Sequence, residues 1–184
     1  MRVTRKQAAI NRQRIIDSAI RLFAERGVDG VGVAEVMADA GFTHGGFYNH
    51  FTSKDDLVLE ACGTSFARSV ESLRHSGRPI HETHETDFGA CLSAAMLSAS
   101  SNRNTKLSSL YATGIRELLD VLADHYCNHE QAVTALTCFV GTRVISRAVE
   151  GADRTLADEF GAALHPRKTL SRGSRPADDP RAMC

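Results

Sequence analysis

Prolines are few and late. The four, Pro79, Pro166, Pro176 and Pro180, leave residues 1–78 and 80–165 without any. Because an internal proline removes a helix hydrogen bond and clashes with the preceding turn, both stretches are open to long helices. The five cysteines, Cys62, Cys91, Cys127, Cys138 and Cys184, include no C-x-x-C pair and are odd in number. That argues against a disulfide framework and fits a reducing compartment. No run approaches the roughly 20 apolar residues a bilayer span needs, and the N-terminus lacks the apolar core of a signal peptide. A cytoplasmic protein without a membrane partner is expected. Also missing are a G-x-S-x-G elbow, a phosphate-cradling GKS or GKT loop and an H-E-x-x-H pair. No enzyme, no cofactor and no metal centre are expected.

Neither sign of charge is in excess, with 22 basic and 22 acidic residues among 184. The distribution says more than the sum. Arg2, Arg5, Lys6, Arg12 and Arg14 fall in the first fourteen residues with no acid among them, a positive arm suited to phosphate. At 42% hydrophobic and 24% charged the chain has an ordinary globular composition, and its length can bury roughly 70% of the unfolded surface. Ile16, Ala19, Ile20 and Phe23 recur at spacings of three and four between Gln13 and Arg26, which predicts a first helix ended by Gly27.

The central stretch is Gly32 to Phe51, GVAEVMADAGFTHGGFYNHF. Val33, Val36 and Met37 form an apolar face, Gly41 can leave a helix in a left-handed conformation, and Thr43 can cap a new helix running through His50. Phe47 and Phe51, four apart, can share the core. His44, Gly45, Tyr48 and Asn49 lie on the opposite side, able to approach nucleic acid. Ser53 and Asp56 have capping-box spacing for the next helix, whose stripe is Val58, Cys62, Phe66, Val70 and Leu73.

Two phrases, LFAERG at Leu22 to Gly27 and AGFTHGGFYNHFTSK at Ala40 to Lys54, resemble the DNA-binding domain of the TetR family of bacterial transcriptional regulators. The resemblance covers about Ala8 to Arg68 and implies an all-α protein. Its parts would be a DNA-binding domain over residues 8–68 with the helix-turn-helix at 32–51, a helical effector-binding and dimerisation domain over 69–165, and a disordered tail over 166–184. By that resemblance Thr43, Tyr48, His50 and Lys54 approach the DNA backbone, while the exposed start of the recognition helix, where His44 stands with Gly45 and Gly46, faces the bases. Two departures stand out. Gly32 and Gly46 occupy positions where relatives commonly carry Ser or Thr, so a capping hydroxyl that also serves as a phosphate ligand, and a second side-chain contact, are absent.

The resemblance further implies a homodimer on a palindromic double-stranded operator, repressing until a small-molecule effector binds. Candidate pocket residues are Phe88, Leu92, Met96, Tyr111 and Phe139, each equally able to be plain core. Apolar periodicity predicts helices from Phe88, along Leu107 to Leu122, over Glu130 to Val149 with Val133, Leu136, Val140 and Val144 on one side, and from Thr155 with Leu156, Phe160 and Leu164 buried. The polar run Arg74 to Asp87 between them reads as a loop. Within the same framework a redox or metal-responsive regulator is the alternative. Its carriers would be Cys127, His81 with His84, and His125 with His129, the last pair four apart and on one face if helical.

Overall fold

The computed structural model describes residues 4–76 and 105–163, and every element among them is helical. Helix α1 spans Arg5–Arg26, α2 Val33–Asp39 and a 3-10 helix His44–Asn49; α3 spans Lys54–Ser76, α4 Thr105–Ala123, α5 His129–Glu150 and α6 Arg154–Ala163. The predicted tail, the helix from Phe88, His81, His84, Leu164 and most of the polar loop lie outside the described residues, as do Cys91 and Cys184.

The described residues divide into two compact units, one of residues 4–72 with 105–118 and the other of 73–76 with 119–163. The first unit thus takes in most of α4 and runs a little beyond the domain end at Arg68 suggested by the resemblance. Helix α1 is longer than its apolar stripe. Thr4 caps it by accepting from the Gln7 amide at 3.2 Å, so Arg5, Lys6, Arg12 and Arg14 are helical residues and not a loose arm. Ile16, Ala19, Ile20 and Phe23 are buried as their spacing predicts, and so are Val58, Cys62, Phe66, Val70 and Leu73 of α3. Ser53 caps α3 by accepting from the Asp56 amide at 3.1 Å. The Asp56 carboxylate reaches back to the amide and hydroxyl of Thr52.

Helix α4 joins this core through Leu107, Tyr111 and Leu118. Tyr111 stands edge-on to Phe66 at 5.3 Å between centroids, with its hydroxyl 3.8 Å from the Cys62 sulfur. Gly114 makes the approach possible. A Cβ there would lie 2.5 Å from Cγ of Phe66 and under 3.0 Å from two further ring carbons. Alanine favours a helix over glycine by about 1 kcal/mol, yet displacing a packed ring costs about 1–3 kcal/mol. Gly114→Ala is expected to lower the thermal unfolding midpoint, and Phe66→Leu in the same chain to recover part of the loss.

In the second unit Asn128 caps α5 by accepting from the Gln131 amide at 2.9 Å. Ala132, Leu136 and Phe139 form its buried stripe, whereas Val133 is 38% and Ile145 41% exposed. Of the Val133, Leu136, Val140 and Val144 face that the periodicity suggested, only Leu136 is buried, and Val140 and Val144 are half-buried. Asp153, not Thr155, caps α6 by accepting from the Leu156 amide at 3.0 Å. Ala157 is buried and Leu156 is 37% exposed. The Ser146 hydroxyl donates to the Ala157 carbonyl at 2.9 Å, tying α5 to α6.

By length and composition alone α5 is long and apolar enough to cross a bilayer, with 17% of its most apolar stretch buried. Against the expectation from cysteine number and spacing, Cys127 is disulfide-bonded, while Cys138 is an exposed free thiol.

Candidate nucleic-acid interface

Helix α2 ends by design of its last residues. The Phe42 amide donates to Met37 O at 2.8 Å and the Gly41 amide to Ala38 O at 3.0 Å, with Gly41 at φ 81°. This is a Schellman ending, in which a left-handed residue turns the chain while the helix's last carbonyls find donors. Thr43 then occupies the N-cap of the next element with extended backbone, but its hydroxyl makes no capping bond. That element is a 3-10 helix ending at Asn49, with His50 as its cap, and not the α-helix through His50 that the spacing suggested. Adjacent Gly45 and Gly46 give little helix propensity, and so short a segment takes its geometry from what lies beneath it. Phe47 and Phe51 are 1% and 2% exposed and stack at 5.5 Å. Gly46 sits above Met37, where a Cβ would come within 3.6 Å of its terminal carbon.

Above this floor Thr43, His44, Gly45, Tyr48 and Asn49 are exposed, and Gly46, His50 and Lys54 are half-buried. Tyr48 is 69% exposed, held edge-on to Phe47 at 5.3 Å and near His44 at 6.5 Å. The structure brings these residues onto one surface. His50 is tucked against Phe42 and Phe51. Burial, and secondarily the Arg12 guanidinium, push its pKa below 6.5, so at neutral pH it is an uncharged donor. Lys54 donates to the Val28 carbonyl at 2.7 Å. Its ammonium is thus partly spent on the loop after α1, with two N–H groups left for a phosphate.

Sequence reasoning missed the polar ties that hold the unit. Gly32 lacks a capping hydroxyl, but the Glu35 carboxylate accepts from the Gly32 amide at 3.1 Å and from Arg26 at 2.6 Å. The Gly32-to-Glu35 interval is that of a capping box and was the available signal. Asp39 accepts from the Ser18 hydroxyl and from Arg21. Its carboxyl is held below the ordinary 3.8, first by Ser18 and then by Arg21; Glu35 is held below 4.5, first by Arg26 and then by the Gly32 amide.

A lowered carboxyl pKa means stabilisation that is complete above the unfolded value and lost as pH falls through the folded one. His50 acts from higher pH. With its folded pKa below 6.5, acidification from there favours the unfolded chain, which binds the proton more readily. Asp39→Asn is therefore expected to lower the melting temperature by a constant amount above about pH 5, the gap closing as acid protonates the wild-type carboxylate. Thermal unfolding of both proteins across pH measures this, and a gap that persists at low pH would remove Asp39 from the account.

The other candidate sites are less developed. A groove of about 380 Å³ beside α1 is lined by Arg14, Asp17, Ser18, Arg21, Asp39 and Arg68 among others. Its charges pair internally, Arg68 with Asp17 at 2.5 Å and Arg21 with Asp39. Tyr111 and Phe139 are buried, in different units, and Phe88, Leu92 and Met96 lie outside the described residues. His125 and His129 straddle the turn between α4 and α5, so the one-face premise of that pair fails. No group of three metal-ligating side chains occurs among the described residues.

Comparison with known proteins converges on the same segment. Residues 15–61 match the model of bacterial regulatory proteins of the tetR family. The chain is 33% identical over 84 residues to the HTH-type transcriptional regulator YerO of Bacillus subtilis, covering 43% of this chain and 29% of that protein. It is 42% identical over 59 residues to the HTH-type transcriptional regulator AcrR of Shigella flexneri, covering 32% and 27% respectively. The matches thus span under a third of either relative. The structure of reduced Escherichia coli NemR superposes with a TM-score of 0.61 at 16% identity over 85% of this chain and 95% of that one, a likeness of fold. Residues 15–61 thus form a helix-turn-helix domain of the tetR family of bacterial regulatory proteins.

Proposed function

We propose that this protein is a DNA-binding transcriptional regulator, a cytoplasmic homodimeric repressor released from a palindromic operator by a small molecule. The observation that supports it most directly is the exposed row of Thr43, His44, Gly45, Tyr48 and Asn49 above a buried aromatic floor. A short projecting element of this kind fits a major groove, and two copies about one helical turn apart read a symmetric site. In this reading Thr43, Tyr48, His50 and Lys54 position the protein on phosphates. His44, the longest side chain at the start of the element, reads base edges with Gly45, Gly46 and Asn49 around it. The effector would shift the balance between two conformations that differ in the separation of the two reading elements. Its pocket would use residues of the second half, for which Phe88, Leu92, Met96, Tyr111 and Phe139 remain the candidates.

Selection of bound sequences from a random DNA pool tests this reading. A symmetric consensus is expected, and recovery of no enriched sequence would refute it. On that operator His44→Ala should change preference at one or two base positions by roughly 1–3 kcal/mol each. Lys54→Ala should weaken all sequences alike, lower the salt slope by about one and reduce stability through the lost tie to Val28.

One observation favours a second reading, that of a redox-responsive regulator: Cys127 is disulfide-bonded. Operator affinity would then differ between reduced and oxidised protein, and Cys127→Ser would abolish the difference.

A further inference from the structure

The 3-10 helix that would meet DNA is too short to hold its own orientation, because 3-10 bonding is weak and a helical nucleus is costly to form. Something outside it must fix its ends, and two arginines of α1 do so. Arg12 donates to the His50 carbonyl at 2.5 Å and pairs with Glu60 of α3, and its guanidinium lies 4.2 Å over the Phe51 ring. Arg14 donates to the Ala40 carbonyl at 2.9 Å, its guanidinium 5.0 Å from the Phe42 ring centre. Ala40 and His50 are the C-caps of α2 and of the 3-10 helix, where unsatisfied carbonyls and the helix dipole favour a cation. Each guanidinium therefore combines a carbonyl with the aromatic ring that follows it, and together they bracket the turn and the reading element. Gly41 completes the seat, since a Cβ there would stand 3.1 Å from Arg14.

We infer that Arg12 and Arg14 are positioning residues for DNA recognition, cations of the basic N-terminal segment that act on the protein's own backbone and not on phosphate. The inference rests on the DNA-binding reading above and deepens it. Arg12 carries the larger share, because its planar fork serves His50, Glu60 and Phe51 at once. A lysine supplies the charge but not that fork.

The test uses the full chain and its selected operator, with affinity measured at several salt concentrations. Arg12→Ala is expected to bind about tenfold or more weakly, the scale of a charged hydrogen bond, with an unchanged salt slope because no phosphate contact is lost. Arg12→Lys should not rescue it. Glu60→Gln, which keeps an acceptor, is the milder variant and should lose a smaller factor at the same slope. In Arg12→Ala the amides of His44 to Phe51 should exchange faster while those of α3 beyond Glu60 keep their protection. A salt slope lowered by about one with affinity restored by lysine would make Arg12 a phosphate ligand and overturn the inference. Unchanged affinity in Arg12→Ala would overturn it equally. Should the wild type itself select no operator, it is the DNA-binding reading that fails.

Discussion

Phe47→Ala is expected to abolish operator binding by unfolding the reading element, whereas Tyr48→Ala, one residue on, should weaken binding and leave stability nearly intact. Phe47 is 1% exposed, stacked on Phe51 and edge-on to Tyr48, and it faces the core that α1, α2 and α3 share. Truncating a buried phenylalanine costs about 3–5 kcal/mol through lost transfer energy and the cavity left behind. Against a total stability of about 5–15 kcal/mol that is a large share, and the helix-turn-helix has few other large side chains to close over the gap. Tyr48, at 69% exposure, leaves little cavity. Chemical denaturation of the two variants beside their operator affinities separates the cases. Equal stability losses would show that Tyr48 is a packing residue.

The second large effect concerns the face of α5 that one protomer leaves uncovered. Val133, at 38% exposure, begins a stripe continued by the half-buried Val140, Gly141 and Val144, with Ile145 exposed beside it and Leu156 exposed on α6. An apolar helix that is only 17% buried along its most apolar stretch needs a cover, and a second copy of α5 and α6 supplies one in the proposed homodimer. Glutamate at both Val133 and Ile145 would place charges in that interface at little cost to the isolated protomer. Sedimentation at micromolar concentration should then change from dimer to monomer. Operator affinity should fall by about a hundredfold or more, because two half-sites are no longer bound by one linked body. A wild-type protein that sediments as a monomer would defeat the expectation, and partition of the chain into vesicles would assign the face to lipid.

How much of this was legible in the sequence varies with the range of the interactions involved. The apolar stripes of α1 and α3, the glycine ending of α2 and the aromatic pair Phe47 and Phe51 are local patterns, and the structure buries or bends them where the spacing says. Local patterns failed where the outcome depends on a partner element. Val133 belongs to the same period as Leu136, yet Leu136 is buried and Val133 is 38% exposed, a difference that the period alone does not encode. Thr155 and Asp153 are both competent caps for α6, and the path of the chain after Gly151 selected Asp153. Thr43 is well placed to cap, but two glycines and the packing below turned its helix into a 3-10 segment whose cap bond is missing.

Sequence alone determined the helical class, the two phrases that carry the family likeness, and which residues of the turn are small, aromatic or polar. All of these follow from residue type and short-range period, which are properties of a chain before it folds. Tertiary structure decided what the charges do. Arg12, Arg14 and Lys54 read as free cations beside a DNA-binding motif, yet they are directed to the carbonyls of His50, Ala40 and Val28. A guanidinium or ammonium goes to whichever acceptor the fold brings within reach, and those acceptors lie 38, 26 and 26 residues away along the chain, beyond anything a local pattern encodes.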